Sequence, residues 1–214
     1  MAIKVKIENE NIVLIGPQKI SLKDLISLKK TKNNTFLFID GGDRHLGSLK
    51  KEKILKDQDH YFVGDGDSKK TSTTIDFLKE DQNLSDFAQS LKLIETKKLK
   101  NLYCLGLSGG RNDHFLAVLG ESWAFAKKNK ARNFTITFDQ GTKLLLPGEH
   151  DLNLKGIFSL MSLENNKVKL TGKCEFPLYD WQHLSPFSSH ALSNMGKGKI
   201  RLQNQKPIFL FLRD

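Results

Sequence analysis

The chain has 214 residues, 38% of them apolar and 27% charged, a balance that fits a globular protein and excludes a disordered one. Its net charge of +10 comes from scattered lysines, with no arginine cluster interleaved with aromatic residues, no zinc-finger spacing and no basic heptads. That pattern argues against nucleic acid as the partner and is compatible with a phosphate-rich small molecule, while no apolar run approaches the ~20 residues that span a bilayer.

"NIVLIG" (11–16) has the pattern of a short buried strand, and Leu22, Leu25, Ile26 and Leu28 follow at helical spacing. "TFLFIDGGDRHL" runs from apolar residues to an acid, two glycines and a candidate helix start, and "HYFVGDGDS" repeats the grammar of strand, acid and glycine. "DFAQSLKLIETKKL" is amphipathic; "NLYCLGLSGGRNDHFLAVLGESWAFAKKN" reads as strand, Gly-Gly turn and helix; "NFTITFDQ" alternates as a strand. Alternating strands and helices predict an α/β N-terminal domain over residues 1–141, Rossmann-like, with a mostly parallel sheet.

Beyond Thr142 the pattern changes to short strand-like segments broken by Pro, Gly and Asn. Residues 142–214 are therefore expected to form an all-β sandwich, packed on the first region or on a second subunit because so short a stretch makes a thin core. Cys104 and Cys174 lie 70 positions apart with no C-x-x-C, which fits reduced core residues and a cytoplasmic home. The N-terminal stretch alternates and carries acids, unlike the apolar core of a signal peptide.

Three loops follow predicted strands and combine polar residues with glycines: Asp40-Gly41-Gly42, Gly64-Asp65-Gly66-Asp67-Ser68, and Gly109-Gly110-Arg111 with Asp113 and His114 behind it. In open α/β sheets ligands bind outside the carboxyl ends of the strands, so the three loops are expected to converge. Asp65 and Asp67 can offer two carboxylate oxygens to one hard cation, the way Mg²⁺ is held beside substrate phosphates. Gly109 and Gly110 let backbone amides approach an anion, and Arg111 brings a fork of donors. Each loop also has a purely structural reading. Asp-Gly-Gly is a common turn, "GDGDS" serves as a solvated helix cap, and His114 is an ordinary packing or capping residue. Asp86 either caps a helix with Ser85 or adds a third carboxylate to the metal site.

The order of these motifs resembles the thiamin pyrophosphokinase family. The matching stretches are "IDGG" (39–42), "GDGDS" (64–68), "DQNLSD" (81–86), "GGRNDH" (109–114), "FSLMSL" (158–163), "EFPL" (175–178) and "SN" (193–194), covering nearly the whole chain. The resemblance implies an α/β domain followed by a β-sandwich, a homodimer with its sites at the subunit interface, and transfer of pyrophosphate from ATP to the thiamine hydroxyl. It implies Asp65, Asp67, Asp86 and Asp113 as the catalytic carboxylates, with Mg²⁺ held by Asp65, Asp67 and Asp86. Asp40, Gly41, Gly42, Gly109, Gly110 and Arg111 would face the nucleotide, and Gln82, Phe176, Ser193 and Asn194 the thiamine. The sequence departs from the family pattern at Asp43, Arg44, Gly66, Gln89, Lys173, Ala191 and Leu192, mostly on the adenosine and acceptor sides. Two other readings stand beside this one: a pyrophosphokinase for another hydroxymethyl heterocycle, such as a pterin alcohol, and a non-catalytic nucleotide-binding protein.

Overall fold

The computed structural model describes residues 6–64, 76–78, 81 and 83–213. The chain divides into two compact units, one of residues 1–121 and 136–140, the other of 122–135 and 141–214.

In the first unit β1 (Ile7–Glu8) precedes β2 (Asn11–Ile15), α1 (Leu22–Lys29), β3 (Asn34–Ile39), a 3-10 turn, α2 (Leu46–Lys51) and β4 (Asp59–Gly64). Then come β5 (Phe77–Leu78), α3 (Asp86–Leu93), β6 (Ile94–Glu95), β7 (Asn101–Leu105) and α4 (Asn112–Lys128), whose later turns belong to the second unit. Strand β8 (Thr135–Phe138) follows. All six residues of β3 are buried, as expected where an apolar run is covered on both faces. Ser21 and Ser85 start α1 and α3 by accepting the Asp24 and Ala88 amides at 3.1 and 3.0 Å. Strand order β7-β2-β3-β4-β5 is parallel across the ladders that join β2 to β7, β3 to its two neighbours and β4 to β5. The chain moves outward from β2 through β3, β4 and β5, then returns to β7 on the other side of β2. The loops after β2 and β7 therefore part at a switch in strand order, where a crevice forms. Phe36, Phe38, Val13, Ile15, Leu28 and Leu49 form the core.

The second unit holds β9 (Lys143–Leu145), β10 (Gly148–Met161), β11 (Asn166–Cys174), β12 (Leu178–Leu184), β13 (Asn194–Asn204) and β14 (Ile208–Arg213), antiparallel in the order β12-β11-β13-β10-β14-β9. Alternate residues Val168, Leu170, Ile200, Leu202, Phe158 and Leu160 face its core. Asn166 fixes the turn into β14: its Nδ2 donates to the Lys206 and Pro207 carbonyls, and its Oδ1 accepts the Lys206 amide.

The expected fold class needs correction. Strand accounts for 42% of the described residues and helix for 24%; β1 and β6 pair separately, and the other strands join one large mixed sheet. A Rossmann-like α/β domain with a mostly parallel sheet of its own, followed by a separate sandwich, does not describe it. Local periodicity identifies strands and helices, whereas the pairing of strand edges is settled by long-range hydrogen bonds that no local pattern encodes.

Candidate functional site

At the strand-order switch lies a cavity of about 640 Å³, lined by Pro17 and Gln18 after β2, Ile39 and Asp40 ending β3, Ser85 to Phe87 at the start of α3, Leu107, Gly109 and Arg111 after β7, and His114, Ala117 and Val118 on α4. Its lining mixes apolar side chains with two carboxylates, an amide, a hydroxyl, an imidazole and a guanidinium, the usual make-up of a small-molecule site.

Asp40 sits at the end of β3 with φ 48°, a left-handed conformation that Asp tolerates better than bulkier residues. Gly41 follows at φ 75°, and its carbonyl accepts the Arg44 Nε at 3.3 Å. Gly42 is buried where the chain turns back against β2; a Cβ there would lie 1.9 Å from the Ile15 carbonyl oxygen. The Asp-Gly-Gly sequence is thus a close-approach turn whose acid is presented to the cavity.

Asp86 is the first residue of α3, and its carboxylate leans toward the end of β4. A Cβ on Gly64 would lie 2.9 Å from Asp86 Oδ2, which places this oxygen beside the backbone that enters the "GDGDS" stretch. Asp65, Asp67 and Gln82 themselves lie outside the described residues. Among the described residues no group of three His, Cys, Asp or Glu side chains is placed to hold a metal.

Gly109 and Gly110, at φ 87° and 77°, turn the chain into α4. Among the described residues nothing lies within 4 Å of a Cβ placed on Gly109, so the backbone there is open to a ligand as far as they are concerned. Arg111 and Asp113 form a two-pronged pair, Nε to Oδ1 at 3.1 Å and a terminal nitrogen to Oδ2 at 2.5 Å, with both side chains mostly exposed. The hydrogen bond from Arg111 lowers the Asp113 carboxyl to about 2, helped by the His114 amide. Asp113 is consequently engaged with Arg111 and is not among the cavity-lining residues, whereas His114 is.

In the second unit Asn194 is buried and brackets the turn before β12. Its Oδ1 accepts the Phe176 amide at 3.1 Å and its Nδ2 donates to the Phe176 carbonyl at 2.7 Å. Phe176 is thereby held 60% exposed. Ser193, at φ 54°, donates its amide to Ser159 Oγ at 3.0 Å.

No protein-family profile matches the sequence, and no curated protein matches it either. Solved structures do. Thiamine pyrophosphokinase from Bacillus subtilis superposes with a TM-score of 0.74 at 18% identity, covering 95% of this chain and 99% of the other. The chain has the fold of the thiamin pyrophosphokinases. The Candida albicans thiamin pyrophosphokinase gives a TM-score of 0.68 at 15% identity, over 94% of this chain and 88% of its own. The yeast thiamin pyrophosphokinase gives 0.64 at 17%, over 95% and 86%.

On this thiamin pyrophosphokinase fold, two positions absent from the sequence-based set matter to the cavity. Gln18 is pinned through its backbone, with its amide donating to the Gly106 carbonyl at 2.7 Å and its carbonyl accepting from His45 Nε2 at 2.8 Å. Burial lowers the His45 pKa, and the bond to the Gln18 carbonyl, which favours the protonated ring, offsets only part of that. The side-chain amide of Gln18 lies over Gly110, 2.9 Å from where a Cβ would stand. The available signal was the placement of "GPQ" just after β2, the same strand-then-glycine order as the other loops. The second position is Asp139, after β8.

Proposed function

We propose that this protein is a thiamine pyrophosphokinase, a transferase that moves pyrophosphate from ATP to thiamine and releases thiamine diphosphate and AMP. The observation that carries the reading is a cavity that gathers Asp40, Asp86, Gly109 and Arg111 on a thiamin pyrophosphokinase fold. In the reaction the thiamine hydroxyl oxygen bonds to the β-phosphorus of ATP, the bridge between the α- and β-phosphates breaks, AMP leaves with the bond's electron pair, and the hydroxyl proton passes to a nearby base.

Residues 1–141 take the nucleotide in this reading. Arg111, released from Asp113, donates its fork to the phosphates, and the amides at Gly109 and Gly110 approach them from the other side. Asp40, Gly41 and Gly42 bound the nucleoside end. Asp65, Asp67 and Asp86 supply hard oxygen donors suited to Mg²⁺, and the proximity of Asp86 Oδ2 to Gly64 fits such a grouping. When bound, the ion offsets phosphate charge that bare carboxylates would repel. Residues 142–214 serve thiamine binding and dimerisation, with Phe176, Ser193 and Asn194 completing the acceptor pocket of a partner copy and Gln82 nearby. No helix among the described residues is long and apolar enough to cross a membrane. Both cysteines are free, in keeping with a reducing, cytoplasmic setting for the reaction.

The experiment is an AMP-release assay with ATP and Mg²⁺, with and without thiamine, followed by mass spectrometry of the product. Thiamine-dependent AMP with thiamine diphosphate is expected. Tight Mg·ATP binding with no thiamine-dependent AMP would overturn thiamine as the acceptor.

A further inference from the structure

The loop after β7 carries an anion of its own. Asp139, 6% exposed, follows β8, which neighbours β7 in the sheet. Its Oδ1 accepts the Gly106 amide at 2.8 Å. Its Oδ2 accepts the Leu107 amide at 3.2 Å, the Ser108 amide at 3.1 Å and the Ser108 hydroxyl at 2.8 Å. Three successive N–H groups aimed at one point make the concave nest that captures phosphate in many nucleotide-binding loops. In this chain the nest is filled by a carboxylate 33 positions further along. Gly106 is held from both sides: its amide goes to Asp139 and its carbonyl accepts the Gln18 amide, at a φ of 68°.

We infer that Asp139 is a positioning residue for nucleotide binding, occupying the anion seat of residues 106–108 so that phosphates are received only by Gly109, Gly110 and Arg111. The inference rests on the reading of the cavity as a nucleotide site. Two consequences separate it from a carboxylate that merely adds stability. The amides of Leu107 and Ser108 depend on Asp139 even without ligand, and nucleotide affinity depends on Asp139 beyond any loss of stability. Asp24 supplies the control. It is also buried and accepts the Ser21 hydroxyl at 2.6 Å and the Gln140 amide at 3.3 Å, bonds that go to the start of α1 and the turn after β8 rather than to residues 106–108.

The test compares wild type, Asp139→Asn, Asp24→Asn and Ser108→Ala by hydrogen exchange and by calorimetric titration with Mg·ATP, at a temperature where all are folded. An amide at position 139 turns a donor toward one of the loop's donors, so Asp139→Asn is expected to speed exchange at Leu107 and Ser108 and weaken Mg·ATP by about tenfold or more relative to Asp24→Asn. Ser108→Ala keeps the carboxylate and loses one donor, so a smaller loss in the same direction is expected; it carries the test if Asp139→Asn does not fold. Unchanged exchange at Leu107 and Ser108, or an affinity in Asp139→Asn equal to that of Asp24→Asn, overturns the inference. Wild type that fails to bind Mg·ATP removes the nucleotide reading, and the exchange comparison then decides whether Asp139 holds the loop.

Discussion

The carboxylates around the cavity differ in what their neighbours let them do. Asp86 stands at the first position of α3, just after the Ser85 cap, and its Oδ2 is turned toward Gly64. If it acts in the proposed transfer through electrostatics, Asp86→Asn should cut turnover by ~10²-fold or more while the melting temperature holds. A variant with wild-type kcat would remove Asp86 from the site. Asp113 is a different case, tied to Arg111 and held at about 2 by that hydrogen bond. A depressed carboxyl favours the folded pairing above its ordinary value, and the advantage is lost as pH falls through the folded value. The pair should therefore persist in mild acid and break near pH 2. Carboxyl-carbon NMR titration checks this, with Arg111→Ala expected to return Asp113 toward 3.8. Adding nucleotide at neutral pH should move the same Asp113 signal as Arg111 changes partner.

Among the turns and helices, glycine has two opposite roles. Gly42 lets the chain after β3 press against the end of β2, and a methyl there would meet the Ile15 carbonyl at 1.9 Å. Gly42→Ala is expected to cost about 3 kcal/mol or more, because the clash is with backbone that cannot rotate away. Gly47, the second residue of α2, has none of the described residues within 4 Å of a Cβ. Gly47→Ala should stabilise by up to roughly 0.5 kcal/mol, the lower end of the gain from replacing a helical glycine, because it lies in the first turn. Urea unfolding midpoints of the two variants should move in opposite directions; a common direction would contradict the local geometry. These shifts bear on the cavity because Asp40 is carried by the turn that Gly42 closes.

For the molecule as a whole, the proposed homodimer makes a prediction that no single-chain site shares. Asn194→Asp replaces the donor to the Phe176 carbonyl with a second acceptor, so it should release Phe176 and remove thiamine affinity. Asp67→Asn should remove turnover through the phosphate side. Mixing the two inactive variants should restore about a quarter of wild-type activity, if half the molecules are heterodimers and each has one intact site of two. Verified heterodimers without recovery would place both halves of the site in one chain.

Much of this protein was legible before any coordinates. The element positions followed from periodicity, which is a local property: β3, β7, α1 and α4 fall where apolar spacing put them. The three acid-and-glycine loops were likewise marked locally, because a chain leaving a strand at positive φ selects glycine. The shape of the sheet was not legible, since parallel and antiparallel ladders join through hydrogen bonds between distant segments. Nor were Gln18 and Asp139. A Gly-Pro-Gln after a strand looks like any turn, and an aspartate after a strand looks like any cap. Only the folded chain brings Gln18 over Gly110 and points Asp139 at the amides of Gly106, Leu107 and Ser108. Residue type and local spacing determined which groups were available, and long-range packing decided which of them meet.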